Sequence, residues 1–195
     1  LRKTRSLATF WFMGLSIGIM ADGLASTFWV HRDDLLQVGA DIPAYCDGAY
    51  REPKLFLEED GRSIGGQIRA HADSVVYRDQ GDSLLTGNVR LVEDGRRIHT
   101  ELAILDRDAN RVSIPNGATF FEPGIVIEAA RGEMTLSDDR AVMEATEFVL
   151  FEPEIRGQAD RIERIGSKLV LEGTSLTRCQ PGRGAWAFRA KTLEM

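Results

Sequence analysis

Ala72-Asp73-Ser74-Val75-Val76-Tyr77 and, after Gln80-Gly81-Asp82, Ser83-Leu84-Leu85-Thr86-Gly87-Asn88-Val89-Arg90-Leu91-Val92 decide the fold. Both runs are rich in Val, Leu and Thr, and the second alternates partly between apolar and polar residues. They read as two strands joined by a turn. The pattern returns. Thr100-Glu101-Leu102-Ala103-Ile104-Leu105, Arg131-Gly132-Glu133-Met134-Thr135-Leu136 and Ala159-Asp160-Arg161-Ile162-Glu163-Arg164 align with Ala72 to Tyr77, their starts 28, 31 and 28 residues apart. Gly87-Asn88-Val89 recurs as Gly117-Ala118-Thr119, Glu144-Ala145-Thr146 and Gly173-Thr174-Ser175. The unit is two strands and two turns, repeated four times.

Turn signals pace the whole stretch at intervals of about 14 residues. Beyond Gln80-Gly81-Asp82 they are Asp94-Gly95, Asp108-Ala109-Asn110, Pro123-Gly124, Asp138-Asp139, Glu152-Pro153, Gly166 and Pro181-Gly182. No helical stripe interrupts them between Cys46 and Cys179. The expectation is an all-β chain, an antiparallel sheet that curls over itself.

Successive strand side chains point to opposite faces. One face then carries Val75, Tyr77, Ala103, Leu105, Met134, Leu136 and Ile162 from the first strands. Leu85, Val89, Leu91, Phe121, Phe148 and Leu171 join it from the second strands. That face is either simply the core or, where the two halves of the sheet stay apart, an apolar groove for a lipid. The opposite face is mixed, with Ser74, Glu133, Arg161 and Glu163.

The remaining composition narrows the function. The chain of 195 residues has 24 basic and 30 acidic side chains, a net charge of −6, which argues against a general nucleic-acid binder. At 43% hydrophobic and 28% charged residues it belongs with folded chains. No Gly-x-Ser-x-Gly elbow, no His set against a Cys and no phosphate loop is present, so no catalysis is expected. His71-x-Asp73 and His99-x-Glu101 could place ligands on one strand face, but nothing completes a metal site, and none is expected. No cofactor is implied.

Residues 1–25 differ from the rest. Arg2, Lys3 and Arg5 precede 14 uncharged, mostly apolar residues, Leu7 to Met20, and Gly23-Leu24-Ala25 offers small residues before a cleavage point. This is the layout of a secretory signal peptide. A helix of that length spans roughly 21 Å, short of the roughly 30 Å hydrocarbon core. The alternative is a retained anchor running on toward Val30. Residues 26–45 read as linker, and 46–195 as the repeat domain. Without 1–25, the 170 residues left carry 21 basic and 29 acidic side chains, net −8. Export makes a disulfide the default for Cys46 and Cys179. Either they clamp the ends of the array together, or each pairs outside this segment.

The closing segment Leu176-Thr177-Arg178-Cys179-Gln180-Pro181-Gly182, with Trp186-Ala187-Phe188-Arg189-Ala190, resembles a signature of the LptD (OstA-like, Imp) family of LPS-assembly proteins. That family has Thr-Thr-Cys-x-Pro-Gly and then Trp-x-Leu-x-Ala; here Arg178 and Phe188 depart from it. Tyr45-Cys46-Asp47-Gly48-Ala49-Tyr50 resembles the family's Cys near the mature N-terminus, and Ala72-Asp73 with Gly87-Asn88-Val89 its repeated strand pattern. The resemblance runs from about Cys46 to Ala190. It implies a periplasmic β-jellyroll of about four two-strand repeats that accepts lipopolysaccharide from an LptA-like jellyroll by edge-strand pairing. It implies location on the periplasmic side of the outer membrane, and an LptE-like lipoprotein as partner where a C-terminal barrel is present. By the same resemblance Cys46 and Cys179 would form disulfides with cysteines of that barrel. Soluble LptA-like and anchored LptC-like jellyrolls are related readings. A β-helix enzyme acting on polysaccharide is the rival class.

Overall fold

The computed structural model describes residues 23–37, 47–53 and 68–195, apart from 80, 94, 136, 184 and 185. Its centre is one 11-stranded antiparallel sheet. Strands β3 (Arg69–His71) and β4 (Ser74–Val76) both pair with β5 (Asp82–Glu93), which pairs with β6 (Arg96–Asp106). Next in the sheet come β7 (Arg111–Ile114) and β8 (Ala118–Glu122), two halves of one rung that both lie between β6 and β9 (Ile125–Thr135). The meander continues through β10 (Arg140–Leu150), β11 (Ile155–Ile165), β12 (Lys168–Thr177) and β13 (Phe188–Glu194). Each turn signal read from the sequence falls at a connection between successive strands from β4 to β13. The two-strand repeat is therefore real, and the all-β expectation holds.

The sheet is not flat because five of its long strands, β6 and β9 to β12, each change phase once. In β10 the core-packed residues are Met143 before Ala145, but Phe148 and Leu150 after it. In β12 they are Leu169 and Leu171 before Gly173, and Leu176 after it. The same slip separates Ile98 from Ala103 in β6, Ala129 from Met134 in β9, and Ala159 from Ile162 in β11. Left-handed residues stand at the same level in the second strand of each repeat: Gly87 and Asn88, Gly117, Ala145 and Gly173, with φ between 45° and 89°. At Ala145 and Gly173 the inward face changes phase, while Leu85 to Leu91 and Val112 to Phe120 keep theirs. The pairing register is kept across Ala145 and Gly173, so the left-handed residue turns the strand over without adding to it. In β5 an extra residue, between Thr86 and Val89, bends the strand and increases its twist. A row of such kinks creases the whole sheet, and the crease curls it into a jellyroll with one enclosed apolar face.

The N-terminal elements correct one boundary. Residues 26–37, expected as linker, complete helix α1 (Gly23–Phe28) and form β1 (Trp29–His31) and α2 (Arg32–Gln37). Strand β1 pairs with β2 (Gly48–Tyr50), Trp29 opposite Tyr50. Leu24, Ala25, Phe28 and Tyr50 pack on Val126, Val149 and Phe151, on the outer side of the large sheet. The physical reason is that Val126 and Val149 are apolar outward-facing positions, and burying apolar surface stabilises by about 25 cal/mol per Å². Most of the expected signal peptide, residues 1–22, lies outside the described residues.

Candidate functional site: the apolar interior of the curled sheet

Two clusters fill the enclosed face. One unites Leu85, Val89, Leu91, Ile98, Ala103, Val112 and Ile114 from β5, β6 and β7, with Leu105 and Met134 packed against it. The other unites Ile127, Met143, Phe148, Ala159, Ile162 and Leu171 from β9 to β12. Phe120 packs against both. Between them lies a cavity of about 60 Å³, walled by Ile68, Leu91, Ile98, Phe120, Ile127, Met143 and Leu169 among others. Its rim is charged: Glu93, Arg96, Arg97, Glu122 and Arg164 also border it.

Those rim charges form a network. Arg96 Nη1 donates to Asp139 Oδ1 at 2.6 Å, and Arg164 Nη1 donates to the same oxygen at 2.8 Å. Glu122 Oε1 lies 3.0 Å from Arg164 Nε and 3.6 Å from Arg96 Nε. The hydrogen bond from Arg164, then that from Arg96, holds the Asp139 carboxyl below its usual range, against the opposing effect of partial burial. Glu163, on the outer face, is lowered in the same way, first by the hydrogen bond from Arg140 and then by that from Arg161. A carboxyl lowered on folding stabilises the native state above its unfolded pKa, and that gain is lost as pH falls through the folded pKa. The melting temperature is therefore expected to be flat near neutrality and to fall below about pH 4. Asp139→Asn should flatten part of that acid slope, as thermal unfolding followed by circular dichroism would show.

The expected lipid-face residues divide into four groups. Leu85, Val89, Leu91, Ala103, Leu105, Met134, Phe148, Ile162 and Leu171 all face the interior. Val75 stands opposite Leu85 in register but is 57% exposed, because β4 lies at the sheet's edge. Tyr77 is 61% exposed; the Arg107 guanidinium sits over its ring and donates to its hydroxyl. Phe121 is a correction. It stands opposite Arg97 and Val126, on the outer side, packed with the α1 cluster and edge-on to His99. Its neighbour Phe120, opposite Ile98 and Ile127, is the inward ring. From Val112 and Ile114 to Ala118 and Phe120 the inward residues keep one alternation. Phe121 matches the inward Leu91 of the first repeat only because β5 holds an extra residue between Thr86 and Val89. Leu136 lies outside the described residues.

Asp73 and Cys179, both singled out in the sequence, have structural partners. Asp73 accepts a 2.7 Å hydrogen bond from Asn88 Nδ2, and its backbone N–H donates to Gly87 O at 2.9 Å. A Cβ at Gly87 would meet the Asp73 carboxylate, so the recurring Asp and Gly of the repeat are packing partners. Cys46 lies outside the described residues. Cys179 is half-buried, and its carbonyl accepts from Tyr50 Oη at 3.0 Å and Arg156 Nε at 3.2 Å. Arg183 pairs with Asp47 at 3.0 Å, so the residue after Cys46 meets the closing segment. Sequence reasoning missed Phe120, Ile98, Val112 and the rim network. Only the strand register could have picked out Phe120.

Comparison with known proteins follows from this geometry. Residues 67–195 match the family model described as LptA/(LptD N-terminal domain) LPS transport protein. The chain is 32% identical over 151 residues to the LPS-assembly protein LptD of Saccharophagus degradans, covering 77% of this chain and 18% of that protein. It is 26% identical over 176 residues to LptD of Alcanivorax borkumensis, covering 85% of this chain and 22% of the relative. The chain thus spans about a fifth of the length of these curated relatives. LptH of Pseudomonas aeruginosa, an LptA homologue of solved structure, aligns over 66% of this chain and 94% of its own with 13% identity and a TM-score of 0.48.

Proposed function

The chain belongs to the LptA/LptD N-terminal-domain family of LPS transport proteins, and on that premise we propose that its curled sheet carries lipopolysaccharide toward the outer membrane as the periplasmic domain of an LptD-like assembly protein. The observation that carries this reading is the enclosed apolar face, continuous from Leu85 in β5 to Leu171 in β12 through Phe120. An acyl chain gains about 0.8 kcal/mol for each methylene moved from water to such a surface. Passing the lipid on requires no bond chemistry, only differential affinity along a series of similar grooves.

The sheet edges fit the expected partner. Strand β4 exposes Val75 and Val76, with exposed Tyr77 just after it, and β13 at the far edge exposes Phe188. Open edges are usually a hazard, but they accept a strand from another jellyroll by β-augmentation. The supply partner is an LptA-like jellyroll, and an LptE-like lipoprotein joins where a barrel follows. Export by residues 1–25 fits a periplasmic site of action. Disulfides at Cys46 and Cys179 would fasten the junction where Asp47 meets Arg183 and Tyr50 meets Cys179.

Site-specific photo-crosslinking tests the lipid reading. Probes replacing Leu105, Met134 and Phe120 are expected to capture lipopolysaccharide, and a probe replacing Phe121 on the outer side is not. Capture at Phe121 alone, or at none of the inward positions while a known lipid carrier crosslinks, would overturn it.

A further inference from the structure

Arg96 on β6 and Arg164 on β11 are separated in the sheet order by β8, β9 and β10. In a flat sheet four strand spacings would hold them about 19 Å apart. Yet both donate to one oxygen of Asp139, at 2.6 Å and 2.8 Å, and both flank one oxygen of Glu122. The network therefore joins two walls of the curled sheet across its fold. It does so at the rim of the apolar cavity, which Glu93, Arg96, Glu122 and Arg164 border. A second pocket of about 220 Å³, bordered by Arg96, Asp139, Arg140 and Arg164, adjoins it.

The cavity beneath is small. Its 60 Å³ falls far short of the roughly 300 Å³ at which pockets for small organic ligands begin. An acyl chain can enter only if the walls part, and parting them pulls Arg96 away from Arg164. Asp139 and Glu122 cannot follow both.

We propose that Arg96, Glu122, Asp139 and Arg164 form an ionic clasp that keeps the apolar interior shut when empty and opens as an acyl chain enters. The proposal rests on the lipid reading above and deepens it. The clasp shields apolar surface between loading and delivery, and ties occupancy of the interior to the spacing of its walls. Arg164 is buried, but Arg96, Glu122 and Asp139 are partly solvated, so the clasp is weakened by salt. Apolar contact between the walls is not. Charge balance within the network, two cations against Asp139 and Glu122 with Glu93 beside Arg96, leaves little net field to attract an anionic headgroup. The clasp therefore acts on the acyl chains, whatever headgroup they carry.

The test uses an uncharged probe, so that salt acts on the protein alone. Uptake of a fluorophore-labelled monoacylglycerol by the full chain is followed by stopped flow at low and high salt. The unaltered chain should load faster as salt rises. Asp139→Asn and Glu122→Gln should load roughly threefold to tenfold faster at low salt, the scale set by losing one or two part-exposed ion pairs, and should lose the salt response. Equal or slower uptake by folded variants, or a flat salt response in the unaltered chain, would overturn the clasp. The salt response needs no substitution and so stands even where a variant folds poorly. No uptake by any of the three chains would sink the lipid reading itself, and the clasp with it.

Discussion

Phe148→Ala should cost about 3 to 5 kcal/mol of folding stability, the range for deleting a buried aromatic ring. Phe148 is 1% exposed and sits in the cluster that unites β9, β10, β11 and β12. Its ring lies over Gly157 on the neighbouring strand, directly opposite in register. Gly157 has no side chain to fill the space, and Ile127 and Leu176 on the same rung are already packed in the cluster, so the void collapses only in part. For a chain of this size the loss lowers Tm by roughly 10 °C. Phe121→Ala is the comparison. That ring is only partly buried, on the outer side against the α1 cluster, and its loss should cost about half as much or less. Urea unfolding of the two variants checks the ranking. Equal losses would mean that the outer cluster matters to the fold as much as the enclosed one.

The fold was legible because turn chemistry is local. Gly95, Gly124 and Gly166 adopt left-handed backbone at φ of 82°, 85° and 59°, which a residue without Cβ adopts at little cost. Such residues announce a turn wherever the chain runs next. The strands between them needed only β-branched and apolar residues. The repeat starts at Gly87, Gly117, Ala145 and Gly173 were legible as a motif, but their meaning was not. They fall within the second strands of the repeat, where Gly87, Ala145 and Gly173 are kinks inside β5, β10 and β12, and Gly117 separates β7 from β8. A kink and a turn both call for glycine, and sequence does not distinguish them.

That ambiguity set the limit on the site. Alternation is a local rule, and one left-handed residue reverses it for the rest of the strand. Phe120 and Phe121 exchange roles because Phe121 matches Leu91 in the repeat, and β5 carries an extra residue between Thr86 and Val89 that β8 lacks. The N-terminal cap was hidden by a different cause. Leu24 and Ala25 look like the tail of an export signal and Phe28 like linker, and only the outward-facing Val126 and Val149, about a hundred residues away, give them a place to pack. The clasp was hidden by distance too. Arg96, Glu122, Asp139 and Arg164 are scattered charges in sequence, and a curled sheet makes them neighbours.

Gly157→Ala should be nearly as damaging as losing the ring above it. A Cβ at that position would press on Phe148 Cζ, stand 2.9 Å from Phe148 Cε1 and come within 2.6 Å of the Ser175 carbonyl oxygen. The second obstacle is backbone of β12, fixed by its pairing with β11 and β13. It cannot swing aside as a side chain would. Overpacking of this kind costs about 1 to 3 kcal/mol, and the upper end applies where backbone must move. Gly166→Ala separates this from strain alone. Gly166 has φ of 59° but nothing within 4 Å of an added Cβ, so its cost is the left-handed penalty, about 1 kcal/mol. The two contacts at Gly157 also make a testable pair. In the Phe148→Ala background the ring no longer opposes the new methyl, and only the Ser175 carbonyl does. The double variant should therefore be more stable than the sum of the single losses predicts, by about 1 kcal/mol or more, the scale of coupling between touching residues. Additive losses would show that the carbonyl, not the ring, is what keeps position 157 free of a side chain.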